Sequence, residues 1–514
     1  MNAAMLVAEP LVRLRDNPLL LAQARRRLRK ANVMPGVIIT GLLGLFGSAL
    51  VSLAKEDAAW VGFRWFLMVI MAGQLFVRAT SLLVTTMALE RESGILDFHR
   101  ATPTSPWTQA LGYVLGVTSR EWVLCGVMLP FFLLGSVITG NVVVDVVSLG
   151  MLAMSAVVYQ VFAAWLGLCG GTDRRSTATM TFFVIAALIG AEVANSVGLH
   201  TLAHLSPLRA IQQLQGHDAK EWPQLFGLMV PPLVLTLIMH AHALTFGAWA
   251  LARKLTRDTN SSFSRSGALW FLGSVLLLAL GGTWTTLGES GQSGLVALLG
   301  GFTLGGGTVL TLVLLTMVGP SYLAFMRALR RARSAGHKAP SMLEDGGALL
   351  PLTLSFFGVL VVAMVVLMVQ GSHAVPLDLL FSPSTALAFG GALGLLLTGS
   401  GIMEYTQLTL RGAWRGGAML WVFVLLFVPP MLASVWWAAD HENPLVVYLA
   451  SLSPLGVMLS FMDMARHWSH AAQERLIIPA ALATCSSLAA GIYLHVRVAA
   501  FRRDAGVTAS TTRP

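Results

Sequence analysis

The stretch Ala88–Trp107, ALERESGILDFHRATPTSPW, places Glu90, Arg91, Glu92, Asp97, His99 and Arg100 within eleven residues. Long apolar runs lie on both sides of it, and Pro103 and Pro106 close it. A charged island between two such runs reads as a turn in water joining two helices that cross a bilayer. The rest of the chain agrees. Of its 514 residues 55% are hydrophobic and 11% charged, where soluble domains carry roughly a quarter charged. Mean hydropathy is +0.72. The formal charge of +10 is read by its location rather than its sum, and nucleic acid is not expected as a partner.

Apolar runs long enough to span recur along the whole length, giving an all-α polytopic membrane protein of about twelve spans. The first six cover about 35–54, 65–89, 110–139, 146–170, 178–199 and 225–251. The second six cover about 268–287, 295–318, 349–370, 379–402, 417–438 and 476–498. The first run follows a basic leader, so a cleaved signal peptide is not expected. With both termini in the cytoplasm, only Lys55, Arg64, Arg209, Lys220, Arg466 and Arg475 fall outside, and Arg78 and Arg120 fall within spans. All other Lys and Arg lie inside, as the positive-inside rule requires.

HLSPLRAI at 204–211 resembles SLSPLGVM at 451–458, and LARKLTRD and VAAFRRD end at Asp258 and Asp504. These echoes predict two parallel six-helix repeats, residues 1–262 and 263–514. Ahead of the first span, Asn17 or Asp16 can cap a short basic amphipathic helix with Pro18 in its first turn. Leu20, Ala24 and Leu28 would share its apolar face at the inner membrane surface.

Within 88–107, Glu90-Arg91-Glu92-Ser93-Gly94, then Leu96-Asp97, then Thr102-Pro103-Thr104-Ser105, resemble the motif between the second and third helices of ABC-2 type permeases. Ile95 stands where that family usually has Thr. The leader and the Ser-Pro-Leu segment resemble the family's connecting helix and external turn. The resemblance covers residues 17–260. It implies the transmembrane subunit of an ATP-driven exporter in a bacterial inner membrane, with ATP and magnesium held by two nucleotide-binding domains of partner ATPase subunits. The motif would form a coupling helix against the ATPase. Gly94 permits its tight backbone, Pro103 helps end it, Glu90 and Glu92 would accept from basic groups, and Leu96 and Phe98 would anchor. Asp173, Arg174 and Arg175, in GGTDRRSTAT at 170–179, would form the other contact, with 404–417 as its counterpart. The second half has no Glu-Arg-Glu motif. Its inner loop offers Arg327, Arg330, Arg331, Arg333 and Lys338, which could bind an ATPase or anionic lipid.

The chain carries no G-x-x-x-x-G-K-[ST] loop, and GESGQSG at 288–294 falls outside. The chain is therefore expected to hold no nucleotide and to be no enzyme. The alternative is a twelve-helix secondary transporter driven by an ion gradient, faintly echoed by GTDRRS at 171–176. That class tends to bury midplane carboxylates, of which Glu121 and Glu192 are the few candidates. No catalytic cluster supports a membrane-embedded enzyme. Met, Phe and Trp along the pathway favour amphipathic cargo.

Arg78 lies twelve residues before Glu90 and Glu121 fourteen after Trp107, about 18 and 21 Å along their helices. Matching depths predict an Arg78–Glu121 pair, with Arg120 nearer the inner surface; snorkelling to head groups is the alternative. Cys125, Cys169 and Cys485 read as small buried hydrophobes. Asp463, His467 and His470 read as a wet helix face rather than a metal site. His240 and His242 are two residues apart and make poor co-ligands. GGFTLGGG at 300–307 suits close helix packing. Segments 200–224 and 440–475 are expected to dip back toward the bilayer.

Overall fold

The computed structural model describes residues 16–54, 57–169, 200–215, 222–256, 261–290, 302–319, 322–337, 340–344, 346–370, 383–409 and 470–511. The protein is a helical, multi-pass membrane protein. Nine of its described helical segments are long and apolar enough to cross a bilayer. The chain divides into two compact units, one within residues 1–258 and one chiefly within 259–514, the latter also taking Gln224–Leu228.

In the first unit, α1 (Pro18–Arg27) is capped by Asn17, whose side chain accepts from the Leu19 and Leu20 amides, with Pro18 at the first position. Arg25, Arg26 and Arg27 fill its last turn, where cations suit the helix dipole. α2 (Lys30–Ala54) follows. It runs beside α7 (Ser119–Ile138) through small residues: a Cβ on Gly44 would stand 2.2 Å from the Phe131 ring.

The second span is one continuous helical rod, Asp57–Glu92, of 36 residues. It consists of α3 (Asp57–Ala72), a π-helical turn at Gly73–Arg78, and α4 (Ala79–Glu92). At 1.5 Å per residue the rod is about 54 Å long, against about 30 Å of hydrocarbon. The rod is therefore more than 20 Å longer than the hydrocarbon is thick. The turn α5 (Ile95–Ala101) leads to α6 (Pro106–Val117). The run expected as one span over 110–139 is broken at Thr118. There Thr118 Oγ1 bonds back to the Val114 carbonyl at 2.6 Å and Ser119 Oγ to that of Gly116 at 2.9 Å. Hydroxyls taking carbonyls of the preceding turn bend a helix. Gln160 of α8 (Val142–Cys169) reaches both irregular points, donating to the Leu75 carbonyl in the π turn and accepting from Thr118 Oγ1.

α9 (His200–Ala203) and α10 (Pro207–Gln215) precede a two-strand hairpin, β1 (Gln224–Leu225) and β2 (Leu228–Met229), and α11 (Pro232–Thr256). This segment packs against α11. His204, 1% exposed, pairs its Nδ1 with Thr236 Oγ1 of α11 at 2.9 Å. Burial, then the charges of Arg209 and His200, push the His204 imidazole down to about 3.

The second unit holds α12 (Arg265–Ser290), a π-helical turn at Phe302–Gly306, α13 (Gly307–Val318) and α14 (Tyr322–Ser334). α15 (Leu349–Gln370), α16 (Pro383–Thr409) and α17 (His470–Thr511) complete it. Gly307 packs against Leu360 so closely that a Cβ would stand 2.4 Å from it. Cys125 is buried, whereas Cys169 and Cys485, expected inside, are exposed at the helix surface. The expected spans over 178–199 and 417–438, and the part of segment 440–475 that precedes His470, lie outside the described residues.

Candidate functional site

The charged turn is built by its caps. Gly94 closes α4 with φ 75, a left-handed conformation that side-chain-bearing residues resist. Thr102 ends α5 with ψ 152, the extended geometry that Pro103 imposes on its predecessor. Ser105 caps α6, accepting from the Thr108 amide at 3.1 Å, with Pro106 next.

Four helices brace this turn. Glu90, 6% exposed, accepts from Gln23 Nε2 of α1 at 2.7 Å and from the Tyr113 hydroxyl of α6. Burial, reinforced by Glu90, pushes that hydroxyl well above its ordinary range, so it remains a proton donor. Arg91 donates to the Leu168 carbonyl at 2.9 Å, at the end of α8. Arg100 donates to the Lys254 and Leu255 carbonyls at 3.0 Å, at the end of α11. It also pairs with Asp97 at 2.6 Å. Asn17 Nδ2 donates to the Thr108 carbonyl at 2.8 Å.

Two of the residues expected to meet a partner therefore turn inward. Glu90 is occupied by Gln23 and Tyr113, and Leu96 is 1% exposed. The apolar side chains left outward are Ile95 and Phe98, the latter 69% exposed. Glu92, Gly94, Asp97 and Pro103 lie on the exposed surface beside them, and Arg91 is half-buried. Next to Phe98 a cavity of about 290 Å³ opens between α1 and the turn, lined by Leu19, Ala22, His99 and Gln109 among others. Gln109 donates to the His99 carbonyl, while its buried Oε1 has no hydrogen-bond partner among the described residues. Asp173, Arg174 and Arg175 lie outside the described residues.

The leader's face differs from the expected one. Leu19 and Gln23 are buried, while Leu28 is 39% exposed. A Cβ on Gly112 would stand 3.0 Å from Leu19 Cβ, and one on Gly116 2.8 Å from Gln23 Cβ. Gly112 and Gly116 form a G-x-x-x-G pair that lets α1 lie directly on α6. That pair is the signal in the sequence that could have located Gln23 and Tyr113.

In the second unit, α14 packs Phe325 and Leu329 onto Leu408 and Val498 and turns Arg327, Arg330 and Arg331 outward. The loop after it is clamped by two arginines. Arg265 donates to the carbonyls of Met342, Gly347 and Ala348, and Arg502 to those of Gly346 and Gly347. Buried Glu404 pairs with Arg502 at 2.5 Å and accepts from the Leu349 amide at 3.0 Å.

Arg78 Nε lies 3.5 Å from Glu121 Oε1, and Arg120 Nη1 lies 3.6 Å from the same oxygen. A second buried ion pair had no local signature. Arg64 of α3 meets Asp145 of α8 although Arg64 had been placed outside the membrane. Gly135 leaves the room, since a Cβ there would stand 2.8 Å from Arg64 Cγ. No group of three or more potential metal ligands occurs among the described residues. No protein-family model, curated protein or solved structure matches the chain.

Proposed function

We propose that this chain is the membrane-spanning permease of an ATP-driven exporter of the ABC-2 type, with the turn Glu90–Trp107 as its principal contact with separate ATPase subunits. The observation that carries this reading is the bracing of the turn. A partner that moves as a body can shift membrane helices only through a rigid grip. Here the last turn of α4 and the short helix α5 that follows it are together tied to α1, α6, α8 and α11, and they stand at the tip of a rod that outruns the bilayer. Phe98 and Ile95 are its outward anchors, and apolar anchors that become desolvated carry most interface energy. Glu92 and Asp97 supply the charged rim.

The finer architecture belongs to the same proposal: twelve spans in two parallel six-helix repeats, both termini cytoplasmic, in a bacterial inner membrane. Two nucleotide-binding domains with ATP and magnesium would sit below, and Asp173, Arg174 and Arg175 would give a second contact. Contact is lopsided. The outward arginines of α14, Arg330 and Arg331, grip less firmly than the braced turn.

The test is purification of the tagged chain from its native membrane, identification of co-purifying ATPase chains, and reconstitution in vesicles. An ATPase in fixed ratio, with ATP-dependent transport lost in Glu92→Ala/Phe98→Ala and largely kept in Arg330→Ala/Arg331→Ala, is the expected result. Transport that follows an ion gradient with no ATPase bound would overturn it. An equal or larger loss from the arginine pair would overturn the lopsided contact.

A further inference from the structure

We propose that Arg78 and Arg120, aligned by Glu121, form a binding site for the phosphate of an anionic phospholipid at the neck where α4 and α6 leave the membrane. The inference needs only a chain embedded in a bilayer, and it stands apart from the ATP-driven reading.

Depth comes first. Arg120 Nε donates to the Asn32 carbonyl at 2.9 Å, which places the Arg78–Arg120–Glu121 cluster level with the first turn of α2. That helix has 25 residues, about 37 Å, and so covers the hydrocarbon thickness from this level outward. The cluster therefore lies at the head groups, not in mid-membrane. Arg26, Arg29 and Lys30 are exposed close by in the chain, at the junction of α1 and α2.

The geometry comes next. Glu121 is fully buried, and neither of its oxygens has a hydrogen-bond partner among the described residues. It meets the two guanidinium groups only by charge, at 3.5 and 3.6 Å. One carboxylate thus faces these two cations and also feels the charge of Arg27, leaving positive charge in excess. The Arg78 side chain is 49% exposed and makes no hydrogen bond among the described residues. A guanidinium presents five donors in a planar fork that matches phosphate, and Arg78 spends only its Nε edge on Glu121. Glu121 is a positioning residue: it holds Arg78 by its Nε edge, which leaves the rest of that exposed fork to a phosphate, and it holds Arg120 by Nη1 while the Asn32 carbonyl takes its Nε, so that Arg120 adds charge and its remaining Nη2 donors beside Arg78. In a bilayer the acceptor abundant at that depth is lipid phosphate, and anionic lipids add attraction for basic clusters.

The experiment uses the full chain purified in detergent, with phosphatidylglycerol and phosphatidylcholine offered in equal amounts and retained lipid read by native mass spectrometry. Wild type is expected to retain phosphatidylglycerol selectively. Arg78→Gln/Arg120→Gln is expected to lower that retention about 30-fold, the effect of two basic groups near an anionic surface. Should the double variant not fold, Arg78→Gln alone is read the same way, about fivefold. Glu121→Gln is the decisive variant. It makes the protein more positive, so unspecific attraction would raise retention, whereas lost alignment lowers it with phosphatidylcholine retention unchanged. Arg497→Gln, at an arginine that bonds Tyr493 and belongs to no contact proposed here, is the single-charge control and is expected to lower retention less than Arg78→Gln does. No preference for phosphatidylglycerol, unchanged or increased retention in Glu121→Gln, or an equal loss in the control overturns the proposal. Displacement of the lipid by millimolar inorganic phosphate would make this a site for free phosphate and overturn the lipid assignment.

Discussion

Gln23 and Glu90 stand 67 residues apart in the chain and 2.7 Å apart in space. Through this bond the leader helix and the tip of the long second rod form one body, and Tyr113 closes the triangle from α6. Any force on the turn is therefore shared by α1 and α6 before it reaches the membrane. Tyr113→Phe takes one donor from a buried carboxylate and should lower stability by about 1–3 kcal/mol. Phe98→Ala, at an exposed site, should stay within about 0.5 kcal/mol. Thermal unfolding midpoints in detergent check this, and similar shifts for both would contradict the inward placement of Glu90.

Gly116→Val should lift α1 from α6, because even a Cβ there would stand 2.8 Å from Gln23 Cβ and 3.2 Å from the Leu20 carbonyl oxygen. Gly126→Val, where nothing lies within 4 Å, is the matched control. Limited trypsin digestion reads the difference at Arg25, Arg26 and Arg27. Faster cleavage is expected in the first variant only.

His204 makes the segment 200–215 sensitive to acid. Its pKa falls from 6.5 unfolded to about 3 folded, so between these values the unfolded state binds the extra proton. Stability is then fully present above pH 6.5 and declines as pH falls toward 3, by about 1.4 kcal/mol per unit at most. Hydrogen-exchange protection factors of residues 200–215, corrected for the pH dependence of intrinsic exchange, should fall between pH 7 and pH 5. His204→Asn, which can keep a bond to Thr236, should flatten that dependence; an unchanged slope would refute the assignment.

Arg64→Met leaves Asp145 as a buried, unpaired charge and should cost about 3–5 kcal/mol, while Arg64→Met/Asp145→Leu should recover most of it. A double variant as unstable as the single one would show that the pair is not buried together.

Local chemistry was legible in the sequence where a short run of residues decides it. Asn17 and Pro18, Gly94, Pro103, and Ser105 with Pro106 each set a cap or a turn from their own side chains. Apolar content marked the helices but not what covers them. Leu83, Val84 and Met87 read as membrane residues, yet they are buried against protein rather than left to lipid, and hydropathy gives both environments the same score. Apolarity alone selects Leu20, Ala24 and Leu28 for the buried face of α1, and only Gly112 and Gly116 on a distant helix select Leu19 and the polar Gln23 instead. The break at Thr118 carries no Pro, and two hydroxyls, one of them on the Gly116 carbonyl, bend the backbone instead. Arg64 and Asp145 are 81 positions apart, beyond the reach of any spacing rule.

Arg502 grips Gly347 from 155 residues downstream, and this sets an order in time. A ribosome adds roughly 5–20 residues per second, so the Gly346–Gly347 loop waits on the order of 8–30 seconds for its second arginine to be made. During that interval Arg265 alone holds the loop, and Glu404, once synthesised, has no Arg502 to neutralise it. The second unit is thus fastened last, by its own final helix. A chain cut short before Arg502 would leave the Glu404 carboxylate without its arginine, a defect that quality-control proteases could recognise from the inside out.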